Sequence, residues 1–341
     1  MKNRKPRTFL AGLLLAASLS ASSPAALAYS QLVIFADSLG DTGNNARLVD
    51  LGLFPGFAPG SRTPTPIPSS AFVPTVPYAS DRYSNGPVWT DQFAAALGLD
   101  ATASLLGGTN FAFGGALSGP GGKVPSLLQQ TAQFLSATGG VAPSDALYVI
   151  EGGGNDVRAA AGGGDAGSLI PGYAHNIESI LTQLTSAGAR NILLLNVPNV
   201  GLAPSVQALG PMVAGFATVI SAAMNAALTF ELASSPLPAG VNLDVLDLFG
   251  LLTELVADPA SFGFSNATTA CAADPACIAN PAGTFFWDGL HPTSAGAGVF
   301  AQAALAAIPE PGSLVLIIAV LLAGILVQRR SSLPARRYST R

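Results

Sequence analysis

Imidazoles and thiols are scarce in this chain. Its 341 residues hold two histidines, His175 and His291, and two cysteines, Cys271 and Cys277. So few cysteines exclude a zinc ribbon or a dense disulfide scaffold, and chemistry that needs an imidazole has only two places to occur. Charge is scarce too: Asp, Glu, Lys and Arg make up 10% of the residues, against about 25% in an average soluble protein, which excludes disorder driven by charge. In their place stand a 49% hydrophobic share and 38 glycines outside that share. A chain of this length and composition can bury a sizeable core in one large domain or two ordinary ones.

The net charge of -4 conceals an uneven distribution. Residues 1–28 carry Lys2, Arg4, Lys5 and Arg7 and no acid, and residues 309–341 carry Arg329, Arg330, Arg336, Arg337 and Arg341 against Glu310. Setting both ends aside leaves 6 basic and 18 acidic residues, a balance of -12. A body so acidic repels phosphate backbones, so no nucleic-acid partner is expected.

Both ends read as addresses. A basic start, an apolar run from Phe9 to Leu19 and Ala26-Leu27-Ala28 form the pattern of a secretory signal peptide over 1–28, with Tyr29 as the mature start. The other end runs Pro309-Glu310-Pro311, an apolar stretch over Leu314–Val327 and Arg329-Arg330. That stretch is 14 residues long, short of the roughly 20 of a stable span, so transient membrane contact with the arginines on the cytoplasmic side is expected. The order resembles a PEP-CTERM sorting tail over 309–341, with a basic extension longer than usual. This resemblance implies export from a Gram-negative bacterium, to the periplasm, outer surface or outside, with an exosortase-type machinery as partner; a plain tail anchor is the alternative. In an oxidising compartment Cys271 and Cys277 are expected to close a small disulfide loop rather than stay free.

The body, 29–308, alternates apolar runs with amphipathic stretches. Gln31–Phe35, Ala146–Ile150, Ile192–Leu195 and Val241–Leu246 read as strands of a parallel sheet buried on both faces, and Gly172–Ala187, Val213–Leu232 and Thr293–Ala307 as helices. Strand then helix, repeated, predicts a doubly wound α/β fold with function at the carboxyl ends of the strands. Phe54–Tyr78, in an insertion over about 54–80, breaks the rhythm with seven prolines, which suits a lid or binding loop. Its Phe54, Phe57, Phe72 and Tyr78 form either an apolar entrance or a small packed cap. Gly162–Gly164 lacks the lysine of a phosphate loop and reads as a surface loop.

Four short blocks carry chemistry. Ser38 follows the first strand within Ala36-Asp37-Ser38-Leu39-Gly40, where it is either a presented hydroxyl or a helix N-cap. Asp288 stands three residues before His291 in Trp287-Asp288-Gly289-Leu290-His291, close enough to orient the imidazole. His175 lies in a helical pattern and reads as a solvated face. Gly153-Gly154-Asn155-Asp156 and Asn110-Phe111-Ala112-Phe113-Gly114-Gly115 offer donors for an oxyanion, or are simple turns.

Together and in this order, these blocks resemble the GDSL, or SGNH, family of serine esterases and lipases over Gln31–Thr293. Arg82–Trp89 and Asn196–Gly201 resemble its secreted lipase-haemolysin branch. The resemblance implies a flavodoxin-like three-layer α/β/α sandwich, Ser38 as nucleophile, His291 and Asp288 as base and orienter, and Gly115 and Asn155 as oxyanion donors. No metal or organic cofactor is expected, because the sequence holds no cluster of ligands for one. The reaction the resemblance implies is hydrolysis of a carboxylic ester; the scarce charge and the aromatic insertion suit a lipid or phospholipid, the sorting tail suits an acetylated polysaccharide as alternative, and a non-catalytic surface protein on the same scaffold is a third reading. The family's leading glycine is Ala36 here, a costly change if that backbone needs positive φ and a neutral one if it needs only a small residue. Ala36–Gly40 also nearly matches the G-x-S-x-G elbow of α/β-hydrolases, but Ser38 follows the first strand rather than a later one.

Overall fold

A computed structural model of the chain describes residues 29–61 and 80–308. The expected leader over 1–28, the tail over 309–341 with its 314–327 run, and the stretch 62–79 of the proline-rich insertion lie outside the described residues.

Four parallel strands, β1 (Leu32–Phe35), β2 (Leu147–Glu151), β3 (Asn191–Leu195) and β4 (Asn242–Leu246), lie in that spatial order. Side chains alternate across a strand, and the core divides accordingly. Val33, Phe35, Tyr148, Ile150, Ile192 and Leu194 pack on one face, while Leu32, Ile34, Leu147, Val149, Leu193 and Leu195 pack on the other. The first face is covered by α3 (Leu127–Ala137), α4 (Gly154–Ala161), α5 (Ala166–Ala187) and α6 (Pro211–Ser234), reached after α1 (Asn44–Asp50) and α2 (Trp89–Leu97). The second is covered by α2, α7 (Leu248–Ala257) and α8 (Ser294–Ala307). Strands β1, β2 and β3 are dry on both faces, which is why they read as unbroken apolar runs, and full burial of one such side chain is worth about 1.5–3 kcal/mol. Strand β4, expected to be buried on both faces as well, is instead the part-exposed edge of the sheet, with Asn242 and Val245 open to solvent. The result is the expected three-layer α/β/α sandwich.

Beyond β1, Asn110 forms a parallel bridge to Ile34, and the Phe111 and Phe113 amides donate to the Ile34 and Ala36 carbonyls. This extended stretch takes the place of an outer strand. With it included the order becomes 2-1-3-4-5, the flavodoxin-like arrangement, whose switch point lies where β1 and β2 adjoin. Ser38 leaves β1 there, and Gly153–Asp156 leaves β2 there.

The strand boundaries agree with the sequence reading to within one residue. Helix α5 begins at Ala166 rather than Gly172 and runs through Pro171, its start capped by the Asp165 carboxylate on the Gly167 amide at 3.0 Å. Helices α1, α2, α3, α4 and α7 were not predicted. The longest helix, α6, is long and apolar enough to cross a membrane by composition, yet its buried Ala214, Ala217, Ile220 and Met224 pack into the core beside the sheet.

Candidate active site

The turn after β1 is built from its own polar side chains. The Asp37 carboxylate accepts the Leu39 amide at 3.0 Å, and the Gly40 amide donates to the Asp37 carbonyl. Asp41, fully buried, accepts the Gly43, Asn44 and Asn45 amides and, from across the cleft, the Gly114 amide. Asn44 donates to the carbonyls of Asn110 and Ala112, Asn45 donates to those of Gly114 and the Tyr83 hydroxyl, and Asn110 donates to the Gly40 carbonyl. The serine turn and the glycine block are thus locked together by buried hydrogen bonds, each costly to leave unmade.

Asp288 and His291 lie on the loop into α8. Asp288 Oδ1 accepts the Leu290 and His291 amides, which shapes the loop, and Oδ2 meets His291 Nδ1 at 2.6 Å. His291 Nε2 lies 2.8 Å from Ser38 Oγ. A carboxylate only accepts, so the proton sits on Nδ1, leaving Nε2 as acceptor for the Ser38 hydroxyl. Residues 253 positions apart in sequence therefore form one continuous relay. All three are buried. The segment Arg82–Trp89 holds the loop in place: the Tyr83 ring lies 5.1 Å from the imidazole, the Ser84 hydroxyl donates to the Pro292 carbonyl, and Asn85 accepts the Ser294 amide. A side chain at Gly114 would lie 2.2 Å from the Tyr83 ring, so glycine there is a packing requirement.

Gly115 lines the same cleft as Ser38 and His291, at φ 87°, with open space where a Cβ would point. Its amide, like that of Ser38, has no hydrogen-bond partner among the described residues. Asn155 lines the cleft as well, but its amide is engaged in this resting geometry. Nδ2 donates to the Ala116 carbonyl at 2.9 Å and to Asp37 Oδ2 at 3.3 Å, and Oδ1 accepts from Arg158. His175 is the exposed face residue expected, 3.4 Å from Glu231. Cys271 and Cys277 are joined in a disulfide that packs against Trp287, next to Asp288.

Ala36 has no positive φ, as the only such non-glycine among the described residues is Asp81. It is fully buried, and Gln130 of α3 bonds both its amide and its carbonyl. A Cβ at Gly40 would fall 2.7 Å from the Ala36 methyl. The position needs a small residue, and Gly40 opposite leaves the room.

Two lobes meet at Ser38. One is apolar, lined by Leu39, Pro198, Val200, Leu252, Phe286 and Phe300. The other is mixed, with Phe54, Phe57 and Tyr83 facing Lys123 and Arg158. Phe54 and Phe57 stack edge to face and also pack on Val49 and Phe113, so they act as cap and cleft wall at once. Asp37, Asp41, Asn44, Asn45 and Gln130 escaped sequence reasoning as site-building residues, although the polar run Asp41–Asn45 next to an apolar strand marks the place.

Among curated relatives, the phosphatidylcholine-sterol acyltransferase of Aeromonas hydrophila is 30% identical over 247 residues, covering 72% of this chain and 66% of that protein. The thermolabile hemolysin of Vibrio parahaemolyticus is 27% identical over 294 residues, covering 78% and 60%. Esterase EstA of Pseudomonas aeruginosa is 28% identical over 353 residues, covering 91% and 52%. The chain spans about a quarter of one further relative, Lipase 1 of Photorhabdus luminescens, and about half to two thirds of these three. Among solved structures it is similar to phospholipase A1 from Streptomyces albidoflavus, with a TM-score of 0.38 and 15% identity over 82% of this chain and 100% of that one. The family model described as GDSL-like Lipase/Acylhydrolase matches residues 32–304, and the chain belongs to that family.

Proposed function

We propose that this protein hydrolyses carboxylic esters through an acyl-enzyme on Ser38. The observation that carries this reading is the Ser38–His291–Asp288 relay, with contacts of 2.8 and 2.6 Å. His291 Nε2 takes the Ser38 proton as Oγ attacks the ester carbonyl, and Asp288 stabilises the imidazolium. The amides of Ser38 and Gly115 and the Asn155 side chain donate to the oxyanion, in the place where charge develops. On collapse the carbon–oxygen bond to the alcohol breaks, and the imidazolium gives that alcohol its proton. Water then attacks the acyl-enzyme with His291 again as base, releasing the acid and the free serine.

For the substrate we favour a lipid ester. The apolar lobe suits an acyl group, and the Lys123–Arg158 side suits a polar or anionic alcohol portion such as a phospholipid head group. Relatives described as an esterase and as a phosphatidylcholine-sterol acyltransferase support the reading. Residues 1–28 and 309–341 support export and tail-directed sorting, Arg82–Trp89 and Asn196–Gly201 support the secreted lipase-haemolysin branch, and the Cys271–Cys277 disulfide fits an oxidising compartment. The test is turnover of phospholipid vesicles and of acetylated polysaccharide by wild type and Ser38→Ala. Release of fatty acid by wild type alone supports the proposal. Release of acetate with no fatty acid would move the substrate to polysaccharide, and a folded wild type inactive on both and on short nitrophenyl esters would refute it.

A further inference from the structure

Glu151 ends β2 with a side chain that the relay does not use. It is 1% exposed, and neither carboxyl oxygen has a well-formed hydrogen-bond partner among the described residues. The register explains where it lies: Ile150 pairs with Phe35, so Glu151 comes alongside the chain as it leaves β1 towards Asp37. The polar groups it faces are the backbone amide and the carboxyl of Asp37. Two carboxyls facing each other in a dry site do not both ionise; one keeps a proton.

The surroundings decide which one. Burial pushes Asp37 up to about 6, but its carboxylate accepts the Leu39 amide and the Asn155 amide and has the Arg158 charge nearby, all of which favour its anionic form. Glu151 has the Asp37 amide alone as a donor and no positive charge beside it. Its other ionisable neighbours, Tyr173 from α5 and, through Asp37, Asp156 from α4 and Tyr83, offer no positive charge. Burial and the Asp37 carboxyl push Glu151 well above the usual carboxylate range.

We propose that Glu151 is a positioning residue: a neutral carboxylic acid beneath the serine turn whose hydroxyl donates to Asp37, holding that carboxylate in line with Asn155. Sharing the proton also weakens Asp37 Oδ2 as an acceptor, so the 3.3 Å bond from Asn155 is readily exchanged for the oxyanion. The inference rests on the ester-hydrolase reading for its kinetic part only.

The test compares wild type, Glu151→Gln and Glu151→Leu by infrared spectroscopy and by the pH profile of kcat/KM on a short nitrophenyl ester. Infrared needs no turnover, so failure here is separable from failure of the proposed activity. At neutral pH wild type shows the carbonyl band of a protonated carboxylic acid, and Glu151→Gln lacks it. Gln keeps a neutral donor, so that variant retains wild-type kcat/KM at neutral pH and holds it at alkaline pH, where wild type declines as the pair loses its proton. Glu151→Leu loses kcat on the order of 10²-fold by misplacing the oxyanion amide. No band assignable to Glu151, or a Gln profile superimposable on wild type, would overturn the proposal, and both readouts stand if the Leu variant does not fold.

Discussion

Replacing Gly40 by alanine probes how this chain tolerates Ala36 beside Ser38. The added Cβ would lie 2.7 Å from the Ala36 methyl and 3.2 Å from Thr90 Cγ2. Carbon atoms prefer about 3.5–4.0 Å, and forcing a methyl into a packed core costs roughly 1–3 kcal/mol. Ala36→Gly alone loses a buried methyl and adds chain entropy to the unfolded state, together about 1.5 kcal/mol. In the double variant the methyl merely moves from one side of the contact to the other. The larger overlap disappears, and only the Thr90 contact remains. The double variant should therefore be more stable than the sum of the single effects by about 1–2 kcal/mol, inside the range known for residues in direct contact. Equilibrium denaturant unfolding of the four proteins measures this coupling. Single effects that add to within about 0.3 kcal/mol, or a Gly40→Ala as stable as wild type, would refute the packing explanation.

Asn155→Ala should lower kcat by roughly 10²–10³, the usual effect of losing one oxyanion donor; undiminished turnover in a steady-state assay would remove Asn155 from the mechanism. Asp288→Asn should lower kcat by roughly 10⁴ with little loss of fold, because the amide favours the wrong imidazole tautomer. Glu151 holds its proton more tightly folded than unfolded, so its contribution to stability is full below about pH 4.3 and lost as pH rises. Unfolding measured between about pH 5 and pH 8 should therefore show Glu151→Gln gaining on wild type with rising pH, and parallel curves would contradict this. Converting Cys271 and Cys277, six positions apart, to serine should cost about 2 kcal/mol in calorimetry, as expected for a short closed loop.

The fold was legible where a strand is buried on both faces, because such strands show uninterrupted apolar runs. The unpredicted helices are short or amphipathic only in context. Even so, α3 carries a readable start in the reciprocal Ser126–Gln129 cap, and α7 follows β4 with no polar break beyond Asp247. Ser38, Asn155, Asp288 and His291 were legible because each stands in a short block of distinctive residue types. Gln130, 94 positions from Ala36, was not, since no local pattern announces a side chain that completes the hydrogen bonds of a distant backbone. Glu151 was overlooked for a related reason: a single acid at the end of an apolar run looks like a boundary, and only the pairing of β1 with β2 brings it to Asp37.

The reactivity of Ser38 is open to direct measurement by labelling the folded protein with a fluorophosphonate and mapping the adduct by peptide mass spectrometry. A serine activated by His291 takes up one label, on the peptide containing Ser38, and loses it in both Ser38→Ala and His291→Ala. A folded wild-type protein that remains unlabelled, or one labelled at another serine, would contradict the Ser38 mechanism.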